Sequence, residues 1–169
     1  MSQSVAEHRA SAPDSVGCVV ITVSDTRTHE TDTSGAIMRE RLTAAGHRVI
    51  GYEIVRDEPS EIHRLLDAWT EQADCQAILF NGGTGIARRD TTFDAISGRL
   101  EKTLPGFGEL FRMLSYEEIG AAAMLSRATA GVLNGRLIFS TPGSSNAVAL
   151  AMDKLIAGEL AHLVFEVTK

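Results

Sequence analysis

The sequence predicts an α/β fold: three layers, with a mostly parallel sheet, helices on both faces and a C-terminal antiparallel hairpin. Three observations carry that expectation. Short apolar runs alternate with segments whose apolar residues recur at helical spacing, the order that builds parallel sheets through crossover connections. The first run, Gly17-Cys18-Val19-Val20-Ile21-Thr22-Val23, is apolar on both faces, as a central parallel strand is. Near the end, Asn134-Gly135 separates two apolar runs, the strongest short signal for a hairpin.

Composition sets the bounds. A chain of 169 residues suits one domain with a tail: residues 1–15 are polar and patternless and read as a flexible tail, and 16–169 as a single domain. His8 falls in that tail and has no role. The net charge is −6 and the longest basic run is Arg88-Arg89, which argues against a nucleic-acid surface but not against a small anion in a local pocket. Two cysteines, Cys18 and Cys75, are too few for a disulfide framework and read as reduced, buried thiols. No stretch approaches the ~20 apolar residues of a membrane helix. The start has no apolar signal-peptide core, so a cytoplasmic protein with no membrane partner is expected.

Each element has its own signal. The first strand leaves into Ser24-Asp25-Thr26-Arg27, at the carboxyl end where open α/β sheets place ligands. A helix is predicted from about 34 to 45, with Met38, Leu42 and Ala45 inward and Gly46 at its C′ position. The extended stretch 49–55 ends at Arg56-Asp57-Glu58-Pro59, and Pro59 suits the first turn of another helix. Ile62, Leu65, Leu66, Trp69 and Ala73 give that helix an amphipathic face, with His63 off the stripe and toward solvent. Ala77-Ile78-Leu79-Phe80 reads as a buried strand. Phe107, Leu110, Phe111 and Leu114 mark a helix after Pro105-Gly106. The hairpin pairs Ala130–Leu133 with Arg136–Phe139. A last helix faces Val148, Met152 and Leu155 inward, and 159–167 closes the domain.

Candidate chemistry centres on the run from Asn81 to Asp90. Gly82, Gly83 and Gly85, with Thr84 between them, let backbone N–H groups lie open against an anion. Arg88 and Arg89 can pair with phosphate oxygens, and Asp90 can hold Mg²⁺. The spacing matches neither G-x-G-x-x-G nor G-x-x-x-x-G-K-[ST], so the residues alone leave a plain strand-to-helix turn equally open. Thr141-Pro142-Gly143-Ser144-Ser145-Asn146 is likewise a ligand loop or a simple capped helix start. Asp57 is a functional carboxylate or an N-cap for the Pro59 helix; Asp90 is functional or the ion-pair partner of Arg88 or Arg89. No Ser-His-Asp set, Cys-His set or zinc-ligand spacing is present.

Several motifs occur in order: Thr22-Val23-Ser24-Asp25-Thr26, Asp57-Glu58-Pro59, Gly82-Gly83-Thr84-Gly85 with Arg88-Arg89-Asp90-Thr91-Thr92, Pro105-Gly106-Phe107-Gly108-Glu109, Met124-Leu125-Ser126-Arg127 and Pro142-Gly143-Ser144. From about Gly17 to Val167 the chain resembles the MoaB/MogA family of molybdenum cofactor biosynthesis, which includes the gephyrin G domain. The run from Phe107 to Gly120 is more similar to the MoaB branch.

The resemblance implies a molybdopterin adenylyltransferase, in which Mg²⁺ and ATP activate molybdopterin by AMP transfer to its terminal phosphate with release of pyrophosphate. It also implies trimers, or hexamers in the MoaB branch. Such a reaction needs no enzyme nucleophile, only positioning and charge neutralisation. By resemblance Asp57 and Asp90 are the two functional aspartates, holding Mg²⁺ and orienting the phosphates. Gly82, Gly83, Thr84 and Gly85, with Ser24, Asp25 and Thr26, would cradle the nucleotide. Ser126, Pro142, Gly143, Ser144, Ser145 and Asn146 would meet the pterin or its phosphate, and Glu109 reads as a surface carboxylate. The alternative is a non-catalytic protein that binds molybdopterin or its precursor. Phe107, Phe111, Met113 and Met124 suit a subunit interface and a core equally.

Three residues depart from the family pattern. Phe93 stands for a frequent proline and is expected to re-aim the segment beside Asp90. Thr91 replaces an aliphatic, a mild change, and Ser145 replaces a proline, which is expected to loosen its turn.

Overall fold

The computed structural model describes residues 12–169. Most of the expected tail, residues 1–11 with His8, lies outside the described residues. In chain order the elements are β1 (Gly17–Val23), α1 (Thr33–Ala44), β2 (Arg48–Val55), α2 (Pro59–Thr70), β3 (Ala77–Asn81), α3 (Thr92–Ser97), β4 (Lys102–Thr103) and α4 (Pro105–Ile119). A 3₁₀ segment (Gly120–Leu125) leads to β5 (Thr129–Leu133), β6 (Arg136–Thr141) and α5 (Ser145–Ala151), and a π-helical turn (Met152–Ile156) precedes α6 (Leu160–Thr168).

Six strands form one sheet in the order β2-β1-β3-β6-β5-β4. β2, β1, β3 and β6 run parallel, while β5 pairs antiparallel with β6, and β4 with β5. The expected fold class is therefore the observed one. β1 and β3 are buried along their whole length because helices cover both faces. Successive residues of each strand feed two cores. Val20, Leu79, Leu137 and Phe139 pack with Met38 and Leu42 of α1, Phe107 and Phe111 of α4 and the C-terminal helices. Ile21, Ile78, Phe80 and Ile138 pack with Ile62, Leu65 and Leu66 of α2 and Ile96 of α3. The hairpin turns at Asn134 and Gly135, whose φ of 49° and 69° suit the tight turn that these two residues accept.

Several expectations need correction. α1 ends at Ala44, so Ala45 is an exposed cap and not part of the inner stripe. α2 ends at Thr70, leaving Ala73 exposed beyond it. His63 is half-buried, and its Nε2 lies 3.1 Å from the Ala95 carbonyl, joining α2 to α3. Leu110 points outward with Met113, so the stripe of α4 runs through Phe107, Phe111 and Ser115 instead. Phe107 and Phe111 are core, whereas Met113 and Met124 are exposed. The two-residue β4 and the π-helical turn had no periodic signal and were not foreseen.

Candidate functional site

The carboxyl ends of the parallel strands converge on the glycine loop. β3 ends at Asn81, and the Gly82 N–H donates to the Thr141 carbonyl at the end of β6. Gly82 has φ 105°, and a Cβ there would collide with the Val23 carbonyl at the end of β1, so only glycine lets the three strand ends meet. Gly83 has φ 60°, and its missing Cβ leaves space for Asp57 Oδ2 and Thr92 Oγ1. Gly85 in turn lies against the Asp90 carboxylate.

In front of this loop is a cleft of about 370 Å³. Gly82, Gly83, Thr84, Gly85 and Asp90 form its glycine wall, and Ser126, Pro142, Gly143 and Ser144 complete the polar lining, with Gly143 directly against Gly82. Its floor is apolar, with Phe111, Ile119 and Leu125 from α4 and the 3₁₀ segment. Ser144 caps α5, its Oγ accepting from the Ala147 N–H at 3.2 Å. A larger groove, between α1 and β2, is wide open and holds none of the candidate residues.

Asp57 stands behind the glycine wall and does not line the cleft. It is buried, and its Oδ1 accepts from the Thr91 N–H at 3.2 Å, Thr91 Oγ1 at 2.7 Å and Thr92 Oγ1 at 3.1 Å. It is not the cap of α2, whose N-cap is Glu58. Oδ2, against Gly83, receives only a long contact of 3.3 Å from the Thr91 N–H. Asp90 accepts from the Ala87 N–H at 2.9 Å and pairs with neither arginine. Arg89 instead bridges Asp25, at 3.1 Å, and Glu58, at 2.8 Å. Arg88 is exposed and has no ion-pair partner among the described residues.

The remaining candidates fall outside the cleft. Ser24 Oγ accepts from the Thr26 and Arg27 N–H groups, closing its own turn. Asn146 is exposed on the far side of α5, beside Glu118 and Asp153. Ser145 Oγ lies 3.0 Å from Thr33 Oγ1, and Ser34 Oγ donates to the Gly143 carbonyl at 2.7 Å. The turn expected to be loose is thus fastened to α1. Thr91 is no mild substitution either, because its hydroxyl makes the shortest contact to Asp57. Phe93 places its ring 4.8 Å from the Arg127 guanidinium. The sequence reading missed the α4 part of the lining, since Phe111 looked like an ordinary position of an amphipathic helix and Ser115, which also lines the cleft, was passed over. A serine inside an aromatic stripe was the available signal.

Residues 19–162 match the family model described as a probable molybdopterin binding domain. The chain belongs to that family. It is 58% identical over 167 residues to the molybdenum cofactor biosynthesis protein B of Bacillus subtilis, and 55% identical over 167 residues to that of Halalkalibacterium halodurans, covering 98% of each chain in both cases. A crystal structure of a molybdenum cofactor biosynthesis protein B superposes with a TM-score of 0.89 at 52% identity, over 92% of this chain and 98% of that one. The tungsten cofactor synthesizing protein MoaB of Pyrococcus furiosus gives 0.83 at 37% identity, over 94% and 100%. The resemblance read from the ordered motifs is borne out, fold included. No described helix is long and apolar enough to cross a membrane.

Proposed function

We propose that this protein acts in molybdenum cofactor biosynthesis by adenylylating molybdopterin with Mg-ATP. The observation that carries the reading is the cleft itself, which sets a glycine-amide wall and a carboxylate against an apolar floor. The amides of Gly83, Thr84 and Gly85 suit phosphate oxygens, and the floor around Phe111 and Ile119 suits a flat heterocycle. Both substrates carry phosphate, so the chain's task is to bring two anions together and exclude water. Arg88, exposed and without an ion-pair partner among the described residues, would neutralise phosphate charge.

The residues fit a magnesium ion that arrives with its nucleotide. Among the described residues no three His, Cys, Asp or Glu side chains gather into a metal cage, and Mg²⁺ on a nucleotide needs only one or two carboxylates. Asp90, which lines the cleft, would hold it, and Asp57, which does not, would act through Thr91 and Thr92. When bound, the ion would offset triphosphate charge. The protein's own carboxylates are preset by Thr91, Thr92 and Ala87.

One observation favours a second reading, binding without transfer: both aspartates are already engaged by loop donors. AMP transfer by the purified protein, supplied with molybdopterin, ATP and Mg²⁺, separates the two. Adenylylated molybdopterin supports the enzyme; tight molybdopterin binding without it leaves the carrier.

Self-association as a trimer or hexamer belongs to the same proposal. Leu110, Met113, Tyr116, Ile119, Met124 and Leu125 are all exposed on α4 and the 3₁₀ segment, a patch of the kind subunit contacts cover. Introducing Met113→Glu with Tyr116→Glu should give a monomer by light scattering, and an unchanged oligomer mass would remove this patch from the interface.

A further inference from the structure

Arg127 has no place in the chemistry above, yet one guanidinium holds both ends of the glycine wall. Its Nη2 donates to the Gly85 carbonyl at 2.6 Å and to the Asp90 carbonyl at 3.0 Å, and its Nε to the Thr84 carbonyl at 3.3 Å. Nη1 reaches the Asp94 carboxylate at 2.9 Å on α3. The Phe93 ring supports the plane from below at 4.8 Å, within cation–π range. The side chain is only about a quarter exposed, at 26%.

Residues 85–90 have little else to hold them. Their own contacts are the Ala87 N–H on Asp90 Oδ2 and the Asp90 N–H on the Ala87 carbonyl, with Arg89 tied out to Asp25 and Glu58. Ile86 at the tip is exposed. Apart from Arg127, no hydrogen-bonding group among the described residues joins the Gly85 and Asp90 carbonyls.

We infer that Arg127 is a positioning residue: it sets the spacing between the phosphate-facing amides of Thr84 and Gly85 and the carboxylate of Asp90, with Phe93 as its platform. The inference rests on the adenylylation reading for its kinetic consequence, though not for its structural one. Arg127 touches no substrate position; it acts through the loop. A planar fork reaching several carbonyls at once is something lysine cannot reproduce.

The test uses the full chain with Arg127→Ala and Arg127→Lys. If the loop loosens by an ångström, kcat for AMP transfer falls on the order of 100-fold. The molybdopterin Kd should stay within about threefold, because the Ser126 and Pro142–Ser144 lining is untouched. Guanidinium ion added to Arg127→Ala should restore part of kcat, and Arg127→Lys should lie between wild type and alanine. Amide hydrogen exchange should quicken at 84–90 while β1 and β3 stay protected. Wild-type kcat in Arg127→Ala overturns the inference. So does a parallel loss of kcat, affinity and protection across the whole sheet, which is what a merely structural residue would give. If the wild type transfers no AMP, the functional reading fails separately, and exchange at 84–90 alone decides: local quickening sustains the clamp and unchanged protection overturns it.

Discussion

Removing the Asp57 carboxylate should expose how much of the site hangs on it. Three donors converge on Oδ1, namely the Thr91 N–H, Thr91 Oγ1 and Thr92 Oγ1. Asp57→Asn keeps an acceptor oxygen there and loses the charge. Hydrogen bonds to charged groups contribute roughly 1 kcal/mol more than neutral ones, so the variant should lose about 1–3 kcal/mol. Asp57→Ala leaves all three donors without an acceptor where the side chain was buried. At about 1–3 kcal/mol each, and less than additive, that amounts to about 3–6 kcal/mol. With a shift of about 2–4 °C per kcal/mol for a chain this size, asparagine should lower the melting temperature by several degrees and alanine by about twice as much. Urea denaturation of both variants beside wild type measures the difference, and AMP transfer should vanish in both. Equal stability of the asparagine and alanine variants would refute the idea that Asp57 anchors the 91–92 turn.

Other consequences are as direct. Gly83→Ala puts a Cβ into Thr92 Oγ1 and Asp57 Oδ2 at φ 60°; it should cost at least the ~1–2 kcal/mol of a left-handed alanine and lower phosphate affinity, and a wild-type melt would contradict the packing. Tyr52→Phe deletes the hydroxyl that donates to buried Asp32 at 2.6 Å, so urea titration should show a loss of about 1.5–3 kcal/mol, whereas no loss would mean that Thr22 and the Gly35 N–H suffice. Burial pushes the Cys18 thiol up to about 12 and the Cys75 thiol to about 11, from an ordinary 9.0. Folded thiols therefore hold their protons where unfolded ones release them. Their contribution is intact below pH 9 and is lost as pH rises through about 11 for Cys75 and about 12 for Cys18, so a Cys18→Ala, Cys75→Ala double variant should show a shallower alkaline slope. Native protein at pH 8 should also leave both thiols unlabelled by a disulfide reagent, and rapid labelling would contradict their burial.

What the sequence made legible follows its periodicities. β1 and β3 were readable because both faces are buried, and the hairpin because Asn134 and Gly135 alone supply its positive φ. The glycine wall, Asp90, Ser126 and Pro142–Ser144 were readable through motif order, and the structure gathers them in one cleft. The roles of Thr91, Ser145 and Arg127 were not. Each depends on a partner far along the chain: Asp57 lies 34 residues from Thr91, Thr33 lies 112 from Ser145, and Gly85 lies 42 from Arg127. A local pattern carries no information about such pairs. The outward turn of Leu110 was hidden for another reason, since a patch of apolar side chains on an exposed face has the same spacing as a core stripe.

The position of β6 has a consequence for how the molecule comes into being. It is the last of the six strands in chain order, yet it sits in the middle of the sheet, between β3 and β5. Until residue 141 has emerged, β3 is an open edge, apolar from Ala77 to Phe80, and the glycine loop lacks the Thr141 carbonyl that receives Gly82. Pairings this distant in sequence form late, and an unpaired apolar edge invites association with other chains. A nascent chain that stops short of β6 would therefore carry every residue of the glycine loop and have no cleft, and a competent site would form only once β6 has left the ribosome.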